Sequence, residues 1–258
     1  MNVNSYPSDL TDAQWEQLSA YLPTPKQQGR PLKWEIRLII NAIAYLVKSG
    51  CQWRMLPHDM PPWQTVYYHF RKWEADGTWS VIHQALHEQT RRDVGKEPSP
   101  TVAIIDSQSV KTTELATTRG FDGHKQVKGH KRHIATDTLG IPLTVKVTDA
   151  NVGDNRVAIE LLKEVFDWHI TIQKVCADAA YGGELGDWLY LTHQCELEIA
   201  PTLKGQGFVV VPLRWIVERT FSWLRWFRRL TIDYERYPKT AETMVYIASI
   251  QLMLNHIS

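Results

Sequence analysis

Apolar residues recur with two different periods along this chain of 258 residues, and the change falls close to residue 95. Before that point the spacing is helical, as in the segment from Ile36 to Val47, which Gly50 follows as a helix stop. After it, short β-branched runs such as TVAIID (101–106) are typical of strands. The sequence therefore predicts a helical N-terminal domain over residues 1–95 and an α/β domain over residues 96–258, with GKEPSP (95–100) as the linker.

The N-terminal part carries several helix signals. Thr11 and Gln14 have the spacing of a capping box, and Thr78 is expected to cap a later helix. Helices over residues 33–49 and 62–75 are expected to form a helix-turn-helix-like module, a type of unit that binds DNA, although their connection is longer than the usual tight turn. Dimerisation through the same two helices is the alternative.

The second part predicts three strands followed by helix, strand, helix, strand and helix. A hairpin turn is expected at Leu139–Gly140, and Asp154 is the expected N-cap of the next helix. The later elements are strands QKVCAD (173–178) and LEIAP (197–201), and helices over 155–168, 184–193, 212–229 and 240–258. This order is shared by the ribonuclease-H-like fold. The predicted class is thus α/β: a mixed sheet with covering helices, preceded by a small all-α domain.

The composition of the chain indicates its cellular compartment more clearly than its function. A net charge of +1 does not identify a nucleic-acid-binding protein, so any such site must come from local clustering. Cys51, Cys176 and Cys195 form no CxxC pair, which fits a reducing compartment and disfavours a zinc ribbon. No signal peptide is recognisable, and the apolar runs are too short to span a bilayer. We therefore expect a cytoplasmic protein without a membrane partner.

Acidic residues follow several of the predicted strands. Asp106 and Asp178 stand at the ends of TVAIID and QKVCAD, where open α/β sheets place ligand sites. Asp137 and Asp149 also end strands, and aspartate is common in turns, so position alone does not select among them. Glu218 lies inside an amphipathic helix, where ion pairing with a neighbouring arginine is the simplest explanation.

A second feature is the basic segment RGFDGHKQVKGHKRH (119–133), in which five cations accompany a single acid, Asp122. Its glycines predict a mobile loop, which we expect to lie near the acidic residues described above. Contacts from this loop to DNA phosphates are expected, and they would be salt-dependent with little sequence information. A metal cluster of three histidines is a weaker alternative. The expected DNA-binding residues are Lys125, Lys128, Lys131 and Arg132, and the histidines are His124, His130 and His133.

Three motifs in order resemble those of DDE transposases from bacterial insertion sequences, in the insertion-sequence-five group. They are AIIDSQSVKT (103–112), CADAAYGG (176–183) and a helix in which Arg214 precedes Glu218 by four residues and Arg225 follows it by seven. Val211 stands where these proteins often have tyrosine. The resemblance extends from about residue 6 to 250 and includes the helical N-terminal part.

The resemblance implies a site and a reaction. Asp106, Asp178 and Glu218 would be the catalytic residues and the ligands of two Mg²⁺ or Mn²⁺ ions, with Asp106 bridging the two ions. Arg214 and Arg225 would contact DNA. The implied function is to bind terminal inverted repeats and to catalyse strand cleavage, with water as the first nucleophile, and then strand transfer by the freed 3′-OH.

The partners implied are double-stranded DNA, as element ends and target, and a second copy in a homodimer on DNA at the nucleoid. A metal-dependent nuclease without strand transfer and a catalytically dead DNA-binding protein are the alternatives. If the implied site is correct, the carboxyl groups of Asp106, Asp178 and Glu218 should converge within a few ångströms.

Overall fold

The computed structural model of the chain describes residues 6–23, 33–200 and 213–256. Helices come first, as predicted: α1 (Asp12–Ser19), α2 (Ile36–Ser49), α3 (Trp63–Ala75) and α4 (Thr78–Asp93). The capping box at Thr11 and Gln14 is confirmed, and Gly50 ends α2 with a left-handed φ of 74°. The N-cap of α4 is Gly77 and not the predicted Thr78, whose hydroxyl instead donates to Asp76.

A six-stranded mixed sheet forms the second part. Its long strand β1 pairs antiparallel with β3 and parallel with β5, β5 pairs parallel with β6, and β3 carries both β2 and β4 on its other side. This confirms the predicted ribonuclease-H-like class. The strands are β1 (Val102–Lys111), β2 (Gly120–Asp122), β3 (Val127–Thr136), β4 (Pro142–Asp149), β5 (Lys174–Ala177) and β6 (Glu196–Ile199). The helices are α5 (Asp154–Trp168), α6 (Glu184–His193), α7 (Arg214–Leu224) and α8 (Pro238–His256).

Several predicted boundaries and one predicted loop are wrong. The basic segment 119–133 is not a loop: it contains β2, a turn and the first half of β3, because its backbone pairs with β1 and with itself. Gly153 and not Asp154 is the N-cap of α5. The predicted helix 212–229 ends at Leu224, and a separate 3₁₀ turn, Arg228–Leu230, follows before α8.

The sheet separates two hydrophobic cores, because successive side chains of a strand point to opposite faces. Ile105 of β1 packs with α5 and α6 on one face. Ile104 packs on the other face with α7, α8 and the N-terminal helices, all in one continuous cluster. The helices before residue 95 therefore bury their apolar faces against the second part of the chain.

Among the helices in residues 6–23, 33–200 and 213–256, none is long and apolar enough to cross a membrane.

Candidate active site

Asp106 lies on β1, and Asp178 directly follows β5, the parallel strand beside it. The parallel pairing of β1 with β5 runs up to the pair Ile104–Cys176, and two residues further along each chain stand the two aspartates. Neighbouring strands are about 4.8 Å apart. The prediction that Asp106 ends its strand is wrong, because β1 continues to Lys111 through its pairing with β3. It stands just past the parallel part of the sheet instead.

Local hydrogen bonds orient both carboxylates. Asp106 Oδ1 accepts from the Ser107 amide at 2.7 Å, and Asp178 Oδ1 accepts from the Ala180 amide at 2.9 Å. In this way Asp178 caps a 3₁₀ turn, Ala179–Tyr181, that carries the buried phenol of Tyr181.

The electrostatics of Tyr181 show how close the acidic groups are. Burial raises the pKa of its phenol well above the ordinary value, and the negative charges of Asp154, Asp106 and Asp178 raise it further. Three carboxylates thus act on one buried hydroxyl. The sequence predicts Asp154 only as a helix cap, because its distance from this site is decided by the packing of α5 on the sheet.

Glu218 reaches the same region from α7. It lines a groove together with Ser107, Lys125, Ser222 and Arg225. The seven-residue spacing therefore does bring Glu218 and Arg225 to one surface, beside the β1 residue that follows Asp106. Val211 and the side chain of Arg214 lie outside the described residues.

The expected convergence of the three carboxyl groups is not seen. Within residues 6–23, 33–200 and 213–256, no three Asp, Glu, His or Cys side chains lie close enough together to hold a metal ion. This also excludes, for the described conformation, the histidine cluster considered from the sequence. His130 instead bonds to Asp233 at 2.8 Å, and His133 Nε2 lies 3.0 Å from the Thr148 hydroxyl.

The position of α7 over the sheet is fixed by the turn between β3 and β4. Arg219 Nη2 donates to the Leu139 carbonyl at 2.9 Å, and the Thr220 hydroxyl donates to the Gly140 carbonyl at 2.6 Å. Gly140 has a left-handed φ of 84°, and α7 lies directly against it. Since Arg219 follows Glu218 in the chain, these bonds hold the segment that carries the acid.

Two tryptophans of α7 contribute to this attachment. The Arg219 guanidinium lies between the rings of Trp215 and Trp223, 4.5 Å from each centroid. Such cation–π contacts stabilise by about 0.5–1 kcal/mol each at exposed sites.

The turn itself is organised by Asp137, a buried acid that ends β3. Its Oδ1 accepts from the amides of Leu139 and Ile141, at 2.9 and 3.0 Å. Its Oδ2 pairs with His87, at 3.2 Å, and with Arg91, both on α4. Burial opposes ionisation, but these two partners hold the pKa of Asp137 below its ordinary value. Asp137 thus connects α4 to the turn that supports α7.

Asp122, the single acid of the basic segment, shapes the turn between β2 and β3. It accepts from the Ser109 hydroxyl at 2.5 Å and from the amides of His124 and Lys125 at 3.0 Å each. Burial would raise its pKa, but these hydrogen bonds lower the pKa of Asp122 to about 2. The turn places the Lys125 ammonium 3.0 Å from the Ser107 carbonyl, at the wall of the groove.

Two of the expected DNA-binding residues are structural. Arg132 is 1% exposed and donates to the Leu230 carbonyl at 2.7 Å. Lys131 is 7% exposed and lies 3.1 Å from Asp154 Oδ1. The prediction that these two contact DNA is wrong for this conformation, because their charges face the protein interior. Lys128, which lies at the start of β3 where this strand pairs with β2, is exposed.

The fold and the site define a class of proteins. The chain belongs to the family described as "Transposase DDE domain", whose model matches residues 97–253. Residues 10–83 match a second model, "Putative transposase of IS4/5 family". Membership among the DDE transposases of insertion sequences, which the three motifs predicted, is therefore confirmed.

Curated relatives point the same way. The chain is 35% identical over 116 residues to the "Putative transposase for insertion sequence element IS402" of Burkholderia cepacia, covering 42% of this chain and 54% of that protein. The chain thus spans about half the length of that relative. It is also 27% identical over 108 residues to an uncharacterized 16.2 kDa protein of the same element, covering 40% of this chain and 72% of the relative. The uncharacterized protein y4sN of Sinorhizobium fredii is 28% identical over 92 residues, which is 30% of this chain and 74% of y4sN.

Proposed function

We propose that this insertion-sequence transposase binds the terminal inverted repeats of its element and catalyses metal-dependent DNA cleavage and strand transfer, with Asp106, Asp178 and Glu218 as catalytic residues. One observation carries the proposal. Asp106 on β1 and Asp178 just after β5 each stand two residues beyond the last pair of the two parallel strands, and Ser107, next to Asp106, lines a groove with Glu218 and two cations, Lys125 and Arg225.

The donor chemistry of the three acids suits Mg²⁺ or Mn²⁺, which prefer oxygen ligands. Asp106 and Asp178 would hold such an ion from the sheet, and Glu218 would complete the set from α7. Two ions, when bound, would polarise the scissile phosphate and stabilise the attacking and leaving oxygens. Since the carboxyl groups are not gathered in the described conformation, we propose that cation and DNA binding draws Glu218 towards the aspartates.

The cations along the groove would hold the DNA backbone. Lys125 is fixed to the Ser107 carbonyl, and Arg225 caps the end of α7, so both present positive charge near the aspartates. Lys128 is exposed on the same hairpin as Lys125 and adds to this charge. Arg214 is included by its place in the motif. Phosphate contacts of this kind position the strand without reading its sequence.

Recognition of element ends is assigned to the N-terminal part, residues 1–95. The face of α3 that points away from the core presents Gln64, Tyr67, Tyr68 and Lys72, a set able to contact bases and phosphates. Two ends must be joined, so we propose a homodimer on DNA, acting on the element and target duplexes at the nucleoid in the cytoplasm.

A supercoiled plasmid with the inverted repeats tests the proposal. The wild-type protein with Mg²⁺ should produce nicked and joined products, and Asp106→Asn, Asp178→Asn and Glu218→Gln should each remove both. Asp167→Asn and Glu184→Gln, at exposed acids on other elements, are the matched controls.

Each product pattern has its own meaning. Nicking without joining would support the metal-dependent nuclease, and DNA binding without Mg²⁺-dependent cutting would support a DNA-binding regulator. If all three acidic-site variants still cut DNA at the wild-type rate, the assignment of the catalytic residues would be wrong. Mg²⁺-dependent change in tryptophan fluorescence, lost in Asp106→Asn, gives a readout of ion binding that does not depend on cleavage.

A further inference from the structure

The groove beside the proposed catalytic residues does not end at Arg225. A second cavity shares Gln108, Ser109 and Arg225 with it and continues along β1 to Lys111. Its walls come from two elements: Val127 at the start of β3, and the connection between α7 and α8. Together the two cavities follow β1 from Ser107 to Lys111, a length of about 13 Å at the usual rise of a strand.

The far end of this channel is built by specific bonds. The Asp233 amide donates to the Lys111 carbonyl at 2.8 Å, and the Thr113 amide donates to the Asp233 carbonyl at 3.2 Å. Asp233 is itself held by His130. The connection is thus attached to the end of β1, and these bonds fix one wall of the channel.

The lining combines positive charge with apolar surface. Lys111, Lys125 and Arg225 are exposed, and no ion pair involves any of them within the described part of the chain. Ile232 is 36% exposed and, with Val127, offers an apolar contact beside these cations. Single-stranded nucleic acid is bound by cations that follow its backbone and by aromatic side chains on which its bases stack. In this channel the aliphatic side chains of Val127 and Ile232 take the place of the aromatic ones.

We propose that this channel, lined by Gln108, Lys111, Val127, Thr231 and Ile232, binds unpaired nucleotides of single-stranded DNA next to the phosphate that is cut. The inference rests on the proposed function, because it takes the aspartate end of the groove as the site of cleavage. Lys111 contacts a phosphate, and Ile232 contacts the face of a base. The channel thereby favours a frayed or already nicked element end over an intact duplex.

Binding of fluorescently labelled element ends, followed by anisotropy, tests the channel directly. The wild-type protein should bind a duplex with a single-stranded overhang more tightly than the blunt duplex. Lys111→Ala and Ile232→Ala should each weaken binding of the overhang substrate about tenfold, while binding of the blunt duplex stays unchanged. Lys163→Ala and Ile170→Ala, which remove the same exposed side-chain types from the opposite region of the molecule, should match the wild type.

Salt dependence separates the two contacts. Lys111→Ala should lower the slope of log K against log salt by about 1, because one phosphate contact is lost, and Ile232→Ala should leave the slope unchanged. Equal weakening on blunt and overhang DNA would show a duplex-binding surface and overturn the proposal. The proposal would also be overturned if the wild-type protein showed no preference for the overhang substrate. The same holds if Lys111→Ala and Ile232→Ala kept that preference.

Failure of the channel and failure of the catalytic assignment give different results. Should Asp106→Asn cut DNA normally while Lys111→Ala loses the overhang preference, the catalytic residues are wrong and the channel stands. Should Asp106→Asn abolish cutting while both channel variants keep the preference, only the channel is wrong. Thermal unfolding of Lys111→Ala and Ile232→Ala, both at exposed positions, should match the wild type and so verifies that loss of binding is not loss of folding.

Discussion

The contact between Gly140 and α7 allows a precise perturbation of the proposed catalytic helix. A Cβ added at Gly140 would lie 3.0 Å from Thr220 Oγ1 and 3.2 Å from both Arg219 Nη2 and a ring carbon of Trp223. Gly140→Ala therefore pushes on three side chains of α7 at once. Gly77→Ala is the matched control, since Gly77 has a similar φ of 78° and nothing within 4 Å of the added carbon.

The two variants separate backbone strain from displacement of α7. Alanine in the left-handed region costs about 1 kcal/mol, which is the whole expected loss for Gly77→Ala. In Gly140→Ala the hydrogen bonds of Arg219 and Thr220 to the turn are also weakened, at about 1 kcal/mol each. The expected total is about 3 kcal/mol. At about 3 °C per kcal/mol for a chain of this size, the melting temperature should fall by about 9 °C in Gly140→Ala and about 3 °C in the control.

The activity of the folded variants provides the second measurement. A shift of α7 moves Glu218, and small misplacements of a catalytic group cost large factors in rate, so we expect Gly140→Ala to cut plasmid DNA about tenfold more slowly. Gly77→Ala should cut at the wild-type rate. The double variant Gly140→Ala/Thr220→Ala should lose less stability than the sum of the losses in the two single variants, because the closest contact of the added Cβ is removed. Equal stability losses for the two glycine variants, together with unchanged cleavage, would refute this account of how α7 is held.

Two further predictions concern buried charge. Lys131→Met should cost about 3 kcal/mol in a urea titration, because it leaves the Asp154 carboxylate without its cation, whereas Lys163→Met at an exposed site should stay within about 0.5 kcal/mol; similar values for both would contradict the structural role of Lys131. Burial lowers the pKa of His83 to about 3. Its unfolded pKa is higher, so the unfolded chain binds the extra proton, and stability present above pH 6.5 is lost as the pH falls towards 3. This should amount to about 2 kcal/mol between pH 7 and pH 5. His83→Gln should remove this share of the pH dependence and leave the shares of His133 and His169, whose pKa values burial lowers to about 4. Curves for His83→Gln and the wild type that stay parallel would show that His83 makes no contribution.

The order of elements along the chain was predictable because it depends on local signals. The capping box at Thr11, the stop at Gly50 and the turn at Leu139–Gly140 are all made by residues within a few positions of each other. The errors of one residue at Thr78 and Asp154 arise because a glycine, and not the polar residue that follows it, takes the N-cap position of each helix. The family motifs also depend only on residue order, and the family assignment followed from them.

The roles of individual charges were less predictable. Lys131 and Arg132 looked like members of a basic loop, but strand pairing of β3 turns both towards buried partners. Asp137 looked like another strand-end acid, equivalent to Asp106. Its pairing with His87 and Arg91 comes from a helix about fifty residues earlier, and no local pattern contains that information.

The sequence by itself therefore determined the class of fold, the family and the three acids with their spacing, since these are properties of order and period. Tertiary structure alone decided which charges face solvent, how the strand of Asp106 pairs with the strand that Asp178 follows, and how the turn at Gly140 holds the helix of Glu218. Those features arise from contacts between elements far apart in the chain. Their energies depend on burial and distance, which the linear pattern does not encode.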